Sequence, residues 1–325
     1  MVPSISVALA TYNGERYIVE QLRSILAQTT RPSEIVVADD GSSDRTVELV
    51  RETFDFMAPA GMELRILESD GERGVTRNFE RALRAARGDL IALSDQDDVW
   101  HLDRLSKAVE SFERDPGLLL QHADARLVDG SGADLGSTLL EALYVNGEER
   151  THIARGKAFE SYIRRNIVTG ATVVLRRRLL DFAAPFPTEW VHDEWLAIIA
   201  AAVGKVELLN DSVIDYRQHG ANVIGVTAPT LGYRLGRMLQ PRGDRYRQLA
   251  RRAASLVARL EEVDAPEQIT AIAREKARFE AVRARLPSRR LARIVTVLAE
   301  RRRGSYRALS SQGDLDVLRD ILQPR

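Results

Sequence analysis

Ile35-Val36-Val37-Ala38-Asp39-Asp40-Gly41-Ser42-Ser43-Asp44 passes within ten residues from an unbroken apolar run into a turn of small and acidic residues. Four apolar residues in a row, three of them β-branched, read as a strand buried on both faces. Asp-Gly-Ser is turn chemistry. Ser43-Asp44 reads as the cap of a helix whose Val47, Val50 and Phe54 share one face. Strand, tight turn and amphipathic helix make one βα unit.

The unit repeats on either side. Upstream, Ile5 to Ala10 is an apolar strand that ends in Thr11-Tyr12-Asn13-Gly14, and the helix after it carries Ile18, Leu22, Ile25 and Leu26 until Arg31-Pro32 breaks it. Downstream, Leu64 to Leu67 is a short third strand, and a helix with Phe79, Ala82, Leu83 and Ala86 runs to Gly88. Leu90 to Leu93 is the fourth strand, leading into Ser94-Asp95-Gln96-Asp97-Asp98. Repeated βα units predict an α/β, Rossmann-like fold with a mostly parallel sheet and helices on both faces. The pattern further predicts a helix over about 102–114, strands at 118–120 and 126–128 around a polar turn, and a loop-containing insertion over 130–155. A strand over 169–175, a helix from His192 to Val203 and a last strand at 213–216 follow. Beyond Pro229 the chain is rich in Ala, Arg and Leu and reads as helical, with breaks near Pro266 and Pro287. The expected division is an α/β domain over 1–225 and a basic helical region over 226–325.

At 325 residues, 44% hydrophobic and 29% charged, the chain has the composition of a soluble globular protein of one or two domains. Without cysteine it has no disulfide, thiolate nucleophile or zinc-thiolate site. No apolar run reaches the ~18–20 residues that span a bilayer. Met1-Val2-Pro3-Ser4 has no basic flank and runs straight into a strand, so no signal peptide is expected. Net charge is zero but unevenly spread: residues 226–325 hold 22 Lys/Arg against 11 Asp/Glu, and residues 1–225 hold 25 against 36. The acidic front part excludes a nucleic-acid enzyme, since nothing there offsets phosphate repulsion.

In an open parallel sheet, ligands sit beyond the carboxyl ends of the strands. The first, second and fourth strands end in polar clusters, two of them acidic. A single Asp-Gly-Ser turn is usually just a solvated turn, but three clusters at equivalent strand ends lie close together. Carboxylates crowded into one crevice repel unless a cation neutralises them. Oxygen ligands favour Mg²⁺ or Mn²⁺, which commonly bridge one or two carboxylates to substrate phosphates. Neither G-x-x-x-x-G-K-[ST] nor G-x-G-x-x-G follows a strand, so P-loop and dinucleotide binding are disfavoured.

Taken together, these motifs over roughly residues 4–225 resemble family 2 glycosyltransferases of the GT-A fold. The resemblance implies that Thr11, Tyr12, Asn13, Asp39 and Asp40 hold base and ribose in a nucleotide-sugar half (about 1–100), with an acceptor half over about 101–225. It places Arg77, in Arg77-Asn78, near the diphosphate. Asp95-Gln96-Asp97 matches the D-x-D motif, with Asp95 near the ribose and Asp97 on the metal. His192-Asp193 stands where the family has Glu-Asp, which makes Asp193 the catalytic base, and Tyr216-Arg217-Gln218-His219-Gly220 matches a tail motif whose His219 completes the metal or diphosphate site. The combination is most similar to bacterial rhamnosyltransferases of surface-polysaccharide synthesis. The implied reaction is an inverting transfer from dTDP-rhamnose or a UDP-sugar to a glycan or polyprenol-linked acceptor. It would take place in the cytoplasm or at the inner face of the membrane.

Other readings stand beside this one. Asp193 at a helix start can serve the helix dipole alone, Arg77 can be a solvated charge, and Trp195 can be core. The helix over 289–303, with Leu291, Ile294, Val295 and Leu298 on one side, fits a membrane surface, packing on the rest of the chain, or a homo-oligomer interface. The competing functions are a sugar nucleotidylyltransferase and an inactive sugar-nucleotide-binding scaffold.

Overall fold

The structure, a computed structural model, describes residues 3–69, 71, 73–219 and 243–324. The chain divides into two compact units, one of Met1–Gly156 with Ile167–Val226, the other of Lys157–Asn166 with Thr227–Arg325. In chain order the elements of the first unit are β1 (Ile5–Thr11), α1 (Ile18–Leu26), β2 (Glu34–Asp39), α2 (Thr46–Met57), β3 (Glu63–Leu67), α3 (Val75–Ala85), β4 (Leu90–Ser94), β5 (Val99–Trp100) and α4 (Arg104–Arg114). They continue with β6 (Leu118–Asp129), β7 (Asp134–Thr138), α5 (Leu139–Ala142) and α6 (Gly147–Ala154). After α7 (Ala158–Tyr162), which belongs to the second unit, come β8 (Val174–Arg176), α8 (Leu180–Ala183), α9 (His192–Val203) and β9 (Lys205–Gln218).

These strands form one sheet in the order β3-β2-β1-β4-β8-β6-β9-β5, with β7 on β6. β3, β2, β1 and β4 are parallel, as the repeated βα units predict. The chain steps outward from β1 to β3 and then returns to β4 beside β1. Right-handed crossovers therefore put α1 and α2 on one face and α3 on the other. The reversal makes a switch point between β1 and β4, the place where such sheets open a crevice. Apolar side chains of β1, β2 and β4 pack with Ile18, Leu22 and Ile25 of α1 into the core.

The middle of the chain departs from the expected pattern. β6 is one strand of 12 residues, not two around a turn. Its polar residues Gln121, His122 and Asp124 are buried, and two of them have partners close by: Asp124 Oδ1 accepts the Leu140 N–H (2.9 Å) and Gln121 donates to Glu207 (2.9 Å). Residues 170–172 form a 3-10 turn, so only Val174–Arg176 remains strand there. The insertion over 130–155 is structured, and its helices α5 and α6 each begin with a capping box.

The second unit adds α10 (Arg245–Glu262), α11 (Glu267–Ala284), α12 (Arg290–Arg302), α13 (Ser305–Leu309) and α14 (Asp314–Leu322). Among the described residues no helix is long and apolar enough to cross a membrane. Its interior holds an ion pair: Arg283 reaches both oxygens of Asp320 (2.7 and 3.1 Å), and Tyr246 and Tyr306 donate to the same carboxylate (2.5 and 2.7 Å). Burial works to raise the Asp320 pKa, but the Arg283 charge and these bonds outweigh it and hold the carboxyl below its ordinary value. A depressed carboxyl contributes stability above its unfolded pKa and loses it as pH falls through the folded one. Asp320→Asn should therefore cost about 3–5 kcal/mol at neutral pH, the range for breaking a buried pair. The gap to wild type should narrow below the ordinary carboxyl value of 3.8. Denaturant unfolding of the full chain at several pH values, followed by far-UV circular dichroism, measures both.

Candidate active site

The ends of β1 and β2 meet in register, Thr11 beside Asp39. Thr11 Oγ1 and Ser42 Oγ donate to Asp39 Oδ2 (2.8 and 2.6 Å), and the N–H groups of Ser42 and Gly41 donate to Oδ1 (2.7 and 3.1 Å). Asp39 thus shapes its own turn, in which Gly41 sits at φ 83°, open to glycine at little cost. Asp40 differs. Its Oδ2 accepts the Gly74 N–H (2.9 Å), whereas Oδ1 is buried with no donor among the described residues. A buried oxygen left without a donor is costly, so this one has capacity for a ligand N–H or O–H. Asn13, at the left-handed φ of 47°, laces the two loops together: its N–H donates to Ser42 Oγ (2.8 Å) and its Oδ1 accepts the Ser43 N–H (2.9 Å). From α3 the buried Asn78 donates to the carbonyls of Ala38 and Thr11 (2.8 and 3.3 Å). The Tyr12 ring is half exposed, and the Arg73 guanidinium lies 5.7 Å from its centroid.

The loop after β4 joins this platform through Gln96. Its Oε1 accepts the Tyr12 N–H (2.8 Å) and its Nε2 donates to the Tyr12 carbonyl (3.1 Å). Asp97 Oδ2 lies 2.8 Å from His219 Nε2, and the His219 ring stacks on Tyr17 with centroids 4.9 Å apart. Arg217 braces the loop from behind. Its N–H donates to Asp98 Oδ1 (3.0 Å), its Nε to the Asp97 carbonyl (2.8 Å) and its Nη2 to Glu20 (2.7 Å). Beneath the loop Arg104 is buried, 3.7 Å from the Trp100 ring centroid, and donates to the Leu93 carbonyl (3.0 Å).

The electrostatics follow from this crowding. Burial, then the charges of Asp97 and Asp193, push the Asp95 carboxyl up to about 7. Burial, Asp97 and Asp95 push Asp98 well above its ordinary value, and its Oδ2 has no partner among the described residues. Burial lowers the Arg104 guanidinium to about 9 against the pull of Asp98 and Asp95, so it remains a cation at neutral pH. Asp193, in the first turn of α9, faces the same field: its Oδ2 accepts the Gly170 N–H (2.9 Å) and its Oδ1 the Glu194 N–H (2.6 Å). Beside it His192 stacks on Phe79 with centroids 4.0 Å apart, and burial pushes its imidazole down to about 3, hence neutral. Trp195 is fully buried and donates to the Ala183 carbonyl (2.8 Å), a core role.

The structure gathers Thr11, Tyr12, Asn13, Asp39, Asp40, Asp95 and Asp97 at the ends of β1, β2 and β4, with His219, just past β9, against Asp97 and with Asp193 in electrostatic range of Asp95. Arg77 lies on the first turn of α3, its Nη1 4.0 Å from Glu80. Four residues that the sequence reading did not single out support the site: Gln96, Arg104, Arg217 and Asn78. Gln96, Arg217 and Asn78 sat inside motifs already noted, whereas a buried arginine in α4 looks like any helix charge.

Asp97 and His219 pair a carboxylate with an imidazole, donor types that divalent ions take. Among the described residues no group of three or more His, Asp or Glu side chains could hold an ion. Asp97 Oδ2 and His219 Nε2, however, lie 2.8 Å apart, close to the ~3 Å between adjacent ligands of an octahedral ion with ~2.1 Å bonds. Two such donors would leave positions for other oxygens.

Gln96 also explains Gly14. A Cβ on Gly14 would come within 2.3–3.0 Å of the Gln96 amide. Gly14→Ala should therefore dislodge Gln96 and cost about 1–2 kcal/mol, as should Gln96→Ala. The double variant should cost no more than Gln96→Ala alone, because the clash has gone; a double-mutant cycle by denaturant unfolding reads this directly.

Residues 6–181 match the family model of glycosyl transferase family 2. An uncharacterised glycosyltransferase of Nostoc sp. is 28% identical over 223 residues, 67% of this chain and 66% of its own length. The chain thus spans slightly less than two thirds of that relative. The dTDP-rhamnosyl transferase RfbG of Shigella flexneri is 37% identical over 106 residues, 31% of this chain and 36% of its own length. Among solved structures, S. aureus TarS 1-349 in complex with UDP-GlcNAc superposes with a TM-score of 0.58 at 16% identity, covering 97% of this chain and 89% of that one. That likeness concerns the fold, which is of the GT-A type. With over half of its length matched by the family model, the chain belongs to glycosyl transferase family 2.

Proposed function

We propose that the chain is an inverting glycosyltransferase, dependent on Mg²⁺ or Mn²⁺, that moves a sugar from a nucleotide donor to a glycan or lipid-linked glycan during surface-polysaccharide synthesis in the cytoplasm. The observation that carries the reading is the Asp97–His219 pair at the switch point, with Asp193 in the same field. Residues 1–100 take the nucleotide and residues 101–225 the acceptor. Tyr12 offers a ring to the base. Asp40 Oδ1, still without a donor among the described residues, takes a base N–H or a ribose hydroxyl. Thr11, Asn13 and Asp39 hold the loops that present these groups, and Asp95 lies toward the ribose. Arg77 adds positive charge near the diphosphate. The RfbG match over 106 residues favours dTDP-rhamnose as donor, with UDP-sugars as the alternative.

Asp97 and His219 would hold the metal, which when bound stabilises the charge that develops on the diphosphate. The chain's own part is positioning and proton transfer. The Gly170 and Glu194 N–H groups each donate to an oxygen of Asp193, which fixes the carboxylate for the hydroxyl oxygen of an acceptor. As that oxygen bonds to the anomeric carbon, Asp193 takes its proton. The bond from the anomeric carbon to the diphosphate oxygen breaks on the opposite face, and nucleoside diphosphate leaves.

Incubation with nucleotide sugars and acceptor, with product analysis, tests this. Release of nucleoside diphosphate is expected, whereas pyrophosphate would indicate nucleotidylyl transfer. Asp193→Asn should lower kcat about 10²–10⁴-fold with donor binding intact. Near-normal turnover in that variant removes Asp193 as the base.

A further inference from the structure

The second unit turns part of its apolar surface outward. In α12, Arg293, Val297 and Glu300 are buried, whereas Leu291 is 82% exposed, Val295 78% exposed, and Leu298 also faces solvent. Steps of four and three residues put these side chains in one stripe along the helix. α14 packs on α12 and repeats the arrangement: Asp316, Val317 and Asp320 are buried, and Leu315, Leu318 and Leu322 are exposed. A surface helix ordinarily buries its leucines and exposes polar residues. Here exposed leucines share the helix with exposed arginines: Arg289 and Arg290 at the start of α12, and Arg301, Arg302 and Arg303 at its end. Arg301 pairs with Asp314 (2.9 Å). Contiguous exposed apolar surface rimmed by charge marks an interaction site.

We propose that the α12 and α14 ridges dock on an anionic bilayer surface. The helices lie in the interface, the leucines and valine enter the headgroup–acyl boundary, and the flanking arginines meet lipid phosphates. Charge selects this occupant. Residues 226–325 hold 22 Lys/Arg against 11 Asp/Glu, so the unit carries the sign that anionic lipid attracts. A second copy of the chain would present the same arginines across a two-fold axis, and like charges face to face oppose association. Length excludes crossing: α12 has 13 residues, hence ~20 Å, with arginines at both ends. The inference goes beyond sugar transfer and is independent of the donor.

Flotation of the purified full chain with phosphatidylcholine vesicles, with and without phosphatidylglycerol, tests it. Binding is expected on the anionic vesicles only, and it should weaken as salt is raised. The surface variants L291Q/V295Q/L298Q and L315Q/L318Q/L322Q should each weaken it at least ~10-fold, and R289Q/R290Q/R302Q/R303Q on the order of 100-fold. Unchanged circular dichroism melts establish that the variants fold. A folded wild-type chain that stays in the aqueous phase with anionic vesicles overturns the proposal, as does binding that survives both apolar triple variants. A dimer that L291Q/V295Q/L298Q dissociates, with no lipid binding, would instead give the ridge to a second copy.

Discussion

Like charge held at one point governs this molecule. Asp95, Asp97, Asp98 and Asp193 share a single field beside the switch between β1 and β4: after burial itself, Asp97 and Asp193 raise the cost of ionising Asp95, and Asp97 and Asp95 that of ionising Asp98. The fold sets two cations against it. Arg104 lies under the loop and Arg217 behind it. The answer is incomplete: Asp98 Oδ2 and Asp40 Oδ1 are buried without a donor among the described residues. A site that keeps residual negative charge and unused acceptors is poised for a cation and a hydrogen-bonding ligand, which accords with a metal-bridged nucleoside diphosphate.

The three strand-end loops also behave as one object. Asn13 ties the first to the second, Gln96 ties the third to the first, and Asn78 ties α3 to both strands beneath. None of these contacts involves the reacting groups themselves. They bring carboxylates from loops far apart in sequence into one frame, the kind of support without which a site remains too loose for chemistry. The backbone bonds to Asp193 do the same for the proton acceptor, while neutral His192 and glycine at position 170 let the two segments approach closely.

Much of this was legible in the sequence, and the physical reason is uneven. The strands β1 to β4 stood out because a parallel strand buried on both faces reads as an unbroken apolar run. The acidic clusters stood out because turns at the carboxyl ends of such strands converge in any open sheet. β6 did not read as one strand, since Gln121 and Asp124 look like turn residues until their buried partners Glu207 and the Leu140 N–H are known. Arg104 was invisible for a related reason: nothing local distinguishes a buried arginine from a solvated one. The stripe on α12 was legible as periodicity, but Ile294, which shares it in the sequence, is partly buried, and the matching ridge on α14 emerged only from the packed helices.

The most direct measurement is the thermal stability of the folded chain against dTDP, UDP and GDP, each with and without Mn²⁺. A ligand that binds only the native state at about 100 Kd adds ~2.7 kcal/mol of stability. Metal-bridged donor binding at Asp97 gives a shift of that order with one nucleoside diphosphate, present only with the metal and absent in Asp97→Ala. No shift with any of the three, or one that persists without metal or in Asp97→Ala, would contradict it.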